Sequence, residues 1–154
     1  MKHLLAFLAL ACLSITSFCQ VGETFKEADS LGINLKHLDS IYMSGVHIDS
    51  TKAAFAGHEE EFINAYNKML EGLGLFLNNN NFTWGKTTRC FNRIYFKADG
   101  TIDYFLYNFK QGEIEAGKEI EFKRLLNEYI KTYKFPLKSK VNFAQCSPVI
   151  YMDK

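Results

Sequence analysis

The sequence predicts an α+β fold: a β-β-α-β unit with an antiparallel sheet, preceded by one or two helices. Three observations carry this. Residues 86–97 and 101–109, KTTRCFNRIYFK and TIDYFLYNF, are rich in β-branched and aromatic residues and flank a short Ala98-Asp99-Gly100 turn. Residues 58–77 and 115–134 each carry an apolar stripe at three- and four-residue spacing. Residues 140–152 then read as a last strand.

Residues 1–19 stand apart. Lys2 and His3 precede the apolar run LLAFLALACLSI (4–15), which has signal-peptide length and is short for a bilayer span. Ser17 and Cys19 place small residues at the −3 and −1 positions of a cut before Gln20. The segment reads as a cleaved secretory signal peptide. An uncleaved anchor would need a longer run. A lipoprotein would be acylated on Cys12, which leaves a short apolar stretch, or on Cys19, which follows bulky Phe18.

The chain has 18 Lys+Arg and 17 Asp+Glu, and removing Lys2 leaves 17 against 17. A balanced charge argues against nucleic acid as a partner, because phosphate binding needs a concentrated positive field. With no second long apolar run, no membrane span is expected after cleavage.

Residues 20–53 read as an N-terminal extension. Leu31, Leu35 and Leu38 have helical spacing, with Asp29 or Ser30 as N-cap, so 29–38 is expected to be helical despite Gly32. GVHIDSTKAAF (45–55) is expected to be extended. The domain proper is expected over 54–154. Its first helix, 58–77, carries Phe62, Tyr66, Met69, Leu70, Leu73 and Leu77 down one side. Glu59, Glu60 and Glu61 suit its positive N-terminal end. Gly72 and Gly74 should fray it, and Asn78 to Asn81 should stop it. The helix over 115–134 carries Phe122, Leu125, Leu126, Tyr129, Ile130 and Tyr133, and Pro136 ends it. Pro148 places the end of the last strand at a sheet edge.

In the hairpin, pairing Lys97 with Thr101 puts Phe96 opposite Ile102, Ile94 opposite Tyr104 and Asn92 opposite Leu106. That side is the expected core. The other side would carry Phe91, Arg93, Asp103 and an aromatic face of Tyr95, Phe105, Tyr107 and Phe109. This face is either packed under the N-terminal segment or a platform for a partner or carbohydrate.

Signal cleavage leaves two cysteines, Cys90 and Cys146. In an oxidising compartment an even pair reads first as a disulfide, here closing a loop of about 56 residues. If the last strand lies antiparallel beside the first, one register brings the two opposite each other.

Four short motifs now come together. They are AFAG (Ala54 to Gly57), IYFKADGTIDYFLYNF (94–109), YKFPL (133–137) and SPVIYM (147–152). In this order and spacing the chain over 54–152 resembles the periplasmic C-terminal domain of TonB and TonB-like proteins. The resemblance implies an exposed last strand, here Val141, Asn142, Phe143, Ala144 and Gln145 onward. Such a strand receives an extended peptide of an outer-membrane transporter by strand addition. The chain departs from that family in its cleavable signal, its lack of a Pro-rich spacer, its cysteine pair and its aromatic excess.

Catalytic residues are not expected. His37, His47, Asp39 and Asp49 match no zinc or calcium spacing. Glu59 to Glu61 share one helical turn rather than facing walls of a cleft. EGLGLF (71–76) lies inside a helical stripe, not after a strand. No metal and no cofactor is expected. The expected function is that of an exported, non-catalytic binding or adaptor protein of the bacterial envelope, with an envelope or outer-membrane protein as partner. The alternative is a small secreted hydrolase or ligand carrier using an aromatic pocket.

Overall fold

A computed structural model describes residues 20–153. The expected signal segment lies outside the described residues. The fold is α+β, with one five-stranded sheet in the order β1-β4-β3-β5-β2. The strands are β1 (Val21–Thr24), β2 (Met43–Ser44), β3 (Thr88–Phe96), β4 (Ile102–Phe109) and β5 (Phe143–Tyr151). The helices are α1 (Phe25–Ser30), α2 (Leu35–Ile41), α3 (Glu59–Asn79) and α4 (Ala116–Thr132).

The expected β-β-α-β unit is β3-β4-α4-β5, with both β4 and β5 antiparallel to β3. The sheet as a whole is mixed, because β1 joins β4 and β2 joins β5 in parallel. Residues 20–53 are therefore not an extension. They supply a strand at each edge and two helices on one face, so no boundary falls at residue 54.

The local readings of this segment change accordingly. The stretch 29–38 is two short helices, not one. Gly32, at φ +76°, turns the chain between them, and Asn34 caps α2 by accepting from the His37 amide at 3.1 Å. Thr24 caps α1 in a capping box with Glu27. Residues 45–55 hold a turn of 3-10 helix at Ser50–Lys52 rather than a strand.

α3 and α4 cover one face of the sheet. Phe62, Tyr66, Met69, Leu73 and Leu77 of α3 are buried against Phe122, Leu125, Leu126, Tyr129 and Ile130 of α4 and the strands beneath. Each such side chain contributes roughly 1.5–3 kcal/mol on burial. Gly72 and Gly74 do not fray α3, which runs on to Asn79. Tyr129 donates its hydroxyl to the Met69 carbonyl at 2.9 Å, tying the two helices together.

The hairpin keeps the expected turn, with Lys97 N donating to Thr101 O at 2.8 Å. Phe96 faces Ile102 as expected. The register then shifts, because Tyr95 faces Tyr104 and Asp103 is a bulged extra residue on β4. From that point every β4 side chain lies on the face opposite to the expected one. Phe105 and Tyr107 join Ile94, Phe96 and Ile102 under the helices. Tyr104 and Leu106 join Tyr95 on the second face.

Two glycines allow contrasting tests. Gly100 sits at φ +90°, and a Cβ there would lie 2.3 Å from the Phe135 carbonyl oxygen. Gly74 is helical, and a Cβ there would meet nothing within 4 Å. Urea unfolding should show Gly100→Ala destabilised by about 1–3 kcal/mol. Gly74→Ala should be stabilised by roughly 0.5–1 kcal/mol.

Candidate binding surface

The edge expected to receive a partner is closed where it begins. Met43 N donates to Asn142 O at 2.9 Å, and Gly45 N donates to Ala144 O at 2.7 Å. β2 thus holds the edge at Phe143 and Ala144. The segment carrying β2 is anchored on both faces of the sheet. On the second face Tyr42 donates to Asp103 Oδ2 at 2.6 Å. On the first, Phe55 packs against Phe62 and Phe143 with ring centroids 4.8 and 4.9 Å away.

Phe143 itself is a core residue, stacked on Phe96. The Asn142 side chain accepts from Ala98 N at 3.0 Å and braces the hairpin turn. Val141 is exposed, and Gln145 donates its amide to Cys146 O at 3.1 Å. Val141 to Gln145 are thus a structural seam rather than a free edge.

The disulfide is also corrected. Both cysteines are free, Cys90 buried and Cys146 exposed. Cys90 lies opposite Val149, and Cys146 lies opposite Arg93. Val149 lies three positions along β5 from Cys146, an odd offset, so the two thiols sit on opposite faces of the sheet. The antiparallel neighbours are as expected, but this register cannot bridge them. Cys90 Sγ instead contacts Asn92 Oδ1 at 3.3 Å, and Asn92 donates to the Tyr151 hydroxyl at 2.8 Å. Burial pushes the Cys90 thiol up to about 12, far from thiolate at neutral pH.

The expected aromatic face is divided. Phe105 and Tyr107 are fully buried in the main core, and Phe109 is partly buried beside Trp84 and Phe122. Only Tyr95 faces the N-terminal segment, where it is fully buried. Tyr42 meets its ring edge-on at 5.1 Å. Burial first, and then the nearby Asp39 charge, raise the Tyr95 phenol far above its usual range, while Arg93 opposes this.

What stays open is the other end of β5. The carbonyls of Asn142 and Ala144 point at β2, so by the strand's two-residue period the backbone groups of Cys146, Pro148 and Ile150 point the same way. Among the described residues no strand lies there. The side chains of these three residues share the second face and are exposed. Beside them on β3, Phe91 is 41% exposed, and Ile150 is 57% exposed. Phe91 faces Pro148 across the ladder. Arg89 and Glu113 flank this patch as an ion pair at 3.8 Å.

Pro148 is the residue that periodicity reasoning could have used further. Its missing N–H falls on the outward side, so it costs no bond to β3. It also interrupts the row of donors, which discourages indiscriminate edge pairing.

Among the described residues two buried side-chain oxygens, the Tyr107 hydroxyl and Gln145 Oε1, have no hydrogen-bond partner. A wide depression of about 720 Å³ beside α2 is lined by His37, Tyr42, Lys97, Asp103 and Asn142, among others. Within it Asp103 accepts from Tyr42 and pairs with Lys97 at 3.2 Å. His47 Nδ1 accepts from the Asp49 amide at 2.9 Å, and His58 lies 3.6 Å from Glu61. Among the described residues no three His, Cys, Asp or Glu side chains gather as metal ligands. No helix there is long and apolar enough to cross a membrane. No protein-family model, curated protein or solved structure matches this chain.

The two thiols should behave oppositely. With iodoacetamide at pH 8, Cys146 of the folded protein should be alkylated within minutes and Cys90 only after unfolding. Intact mass of the chain from Gln20 onward, which lacks Cys12 and Cys19, would read one adduct and then two. Finding neither thiol reactive after unfolding, without a reductant, would restore the disulfide.

Proposed function

We propose that this chain is an exported, non-catalytic binding module of a bacterial envelope, and that an extended segment of an envelope or outer-membrane protein adds to β5 beyond Ala144. The observation that carries this reading is the unpaired half of β5 beside a sheet face where Phe91 and Ile150 are exposed. An added strand would pair with the outward backbone groups of Cys146, Pro148 and Ile150. Its side chains would cover the apolar patch. The contact moves from Val141–Gln145 to Cys146–Tyr151, because β2 holds the first stretch.

The resemblance to TonB C-terminal domains supports the same reading. In the order β4-β3-β5 the last strand lies outside the hairpin, where such domains receive a peptide. Export rests on the apolar run before Gln20 and its small residues at the cut. A non-catalytic reading is supported by the burial of Cys90 and by the partners already held by Asp39 and Asp103.

Proline substitutions test it. Ile150→Pro removes an outward N–H that the fold does not use. It should keep the melting temperature within a few degrees and abolish capture of the partner from an envelope extract. Val149→Pro removes an N–H directed at β3 and should cost about 3 kcal/mol or more. Undiminished capture by folded Ile150→Pro would overturn the proposal.

A further inference from the structure

The second face of the sheet is half bare and half covered, and the cover is unlike the rest of the fold. α1 and α2 bury only Ala28 and Leu38 of their own, with Tyr42 just beyond, against Tyr95 and Leu106. α3 buries six side chains and α4 five in the main core. α1 has 6 residues and α2 has 7, too short to hold helical structure without packing. Elements with few buried apolar contacts are the ones that open first.

Three carboxylates latch this cover, one of them Glu27 of α1, which accepts from Lys123 of α4 at 2.8 Å. Asp39 of α2 accepts from Arg93 and from the Tyr95 hydroxyl, the latter at 3.1 Å. Asp103 of the β4 bulge accepts from Tyr42 at 2.6 Å and pairs with Lys97. Beyond the latches, the α1 end meets the sheet through Phe25, whose ring lies 6.2 Å from that of Phe91. Phe91 is also part of the bare half, so the covered and bare halves form one continuous apolar surface.

The chain has the slack to open. β1 and β2 hold its two ends at opposite edges of the sheet. Four inter-strand spacings separate them, roughly 19 Å. The chain from Phe25 to Tyr42 reaches about 60 Å when extended. It can leave the face while both edge strands stay in place.

We propose that α1 and α2 form a latched lid over the second face of the sheet. The lid opens as a unit without unfolding the α3–α4 core and uncovers Tyr95, Tyr104 and Leu106 next to Phe91. That the uncovered face serves a partner rests on the binding surface proposed above. The opening itself does not.

Native-state hydrogen exchange of the purified protein, read by mass spectrometry, tests the opening without any partner. Peptides from 25–41 should exchange faster than peptides from 116–132, with little dependence on low concentrations of urea. Asp39→Asn and Tyr42→Phe should each speed exchange in 25–41 about tenfold, as expected for a lost bond to a charged group, and leave 116–132 unchanged. The wild-type urea dependence decides the matter even if a variant fails to fold. Equal protection and equal urea dependence in both regions would overturn the lid. A lid confirmed by exchange, with capture unaltered by Ile150→Pro, would sink the binding surface and leave the lid standing.

Discussion

Asp103 is one residue more than the β3 ladder has room for, and its bulge sets which rings of the hairpin meet the helices. Past it, Phe105 and Tyr107 point into the main core, where Tyr107 packs edge-on to Phe122 at 5.0 Å. Without the extra residue these two rings would lie on the thinly covered face, and Tyr104 and Leu106 would lie under α3 and α4. The bulge also places a carboxylate at the sheet surface, only 9% exposed. A buried carboxylate needs partners, and Tyr42 and Lys97 supply them. The same residue thus sorts the core and fastens the N-terminal segment.

That segment also resolves the sheet's two edges. At one edge β1 lines β4, and Asn127 of α4 clasps Gly22 through both its amide and its carbonyl at 2.9 and 2.7 Å. A further strand could not pair there without breaking both bonds. At the other edge β2 covers the start of β5, and Pro148 interrupts the remainder. Exposed edges invite unwanted pairing, and among the described residues only a short, proline-marked stretch of one edge is open. That restriction is why we place the proposed partner contact there.

The two faces differ in how firmly they are held. The main core runs from Phe55 to Tyr151 and is built on rings in mutual contact, such as Phe62, Phe96, Phe135 and Phe143. The second core is five buried residues with polar latches. In the binding module we propose, the rigid half would hold geometry while the loosely held half changes cover.

Much of the architecture was legible in the sequence because its signals are local. The stripes of α3 and α4, the Ala98-Asp99-Gly100 turn and the final strand each depend on spacing within a few residues, and each formed where expected. The faces of β4 did not, because a bulge is settled by Tyr42 and Lys97, which stand outside the strand. A strict alternation across TIDYFLYNF has no means of marking one residue as surplus, although an Asp inside a strand was the available hint. The candidate site was legible only as a strand. Whether β5 was open, and whether Cys90 could reach Cys146, depended on register and on which segment lay alongside. Those are long-range pairings: β2 of the N-terminal segment covers the start of β5, and the register between β3 and β5 keeps the two cysteines apart.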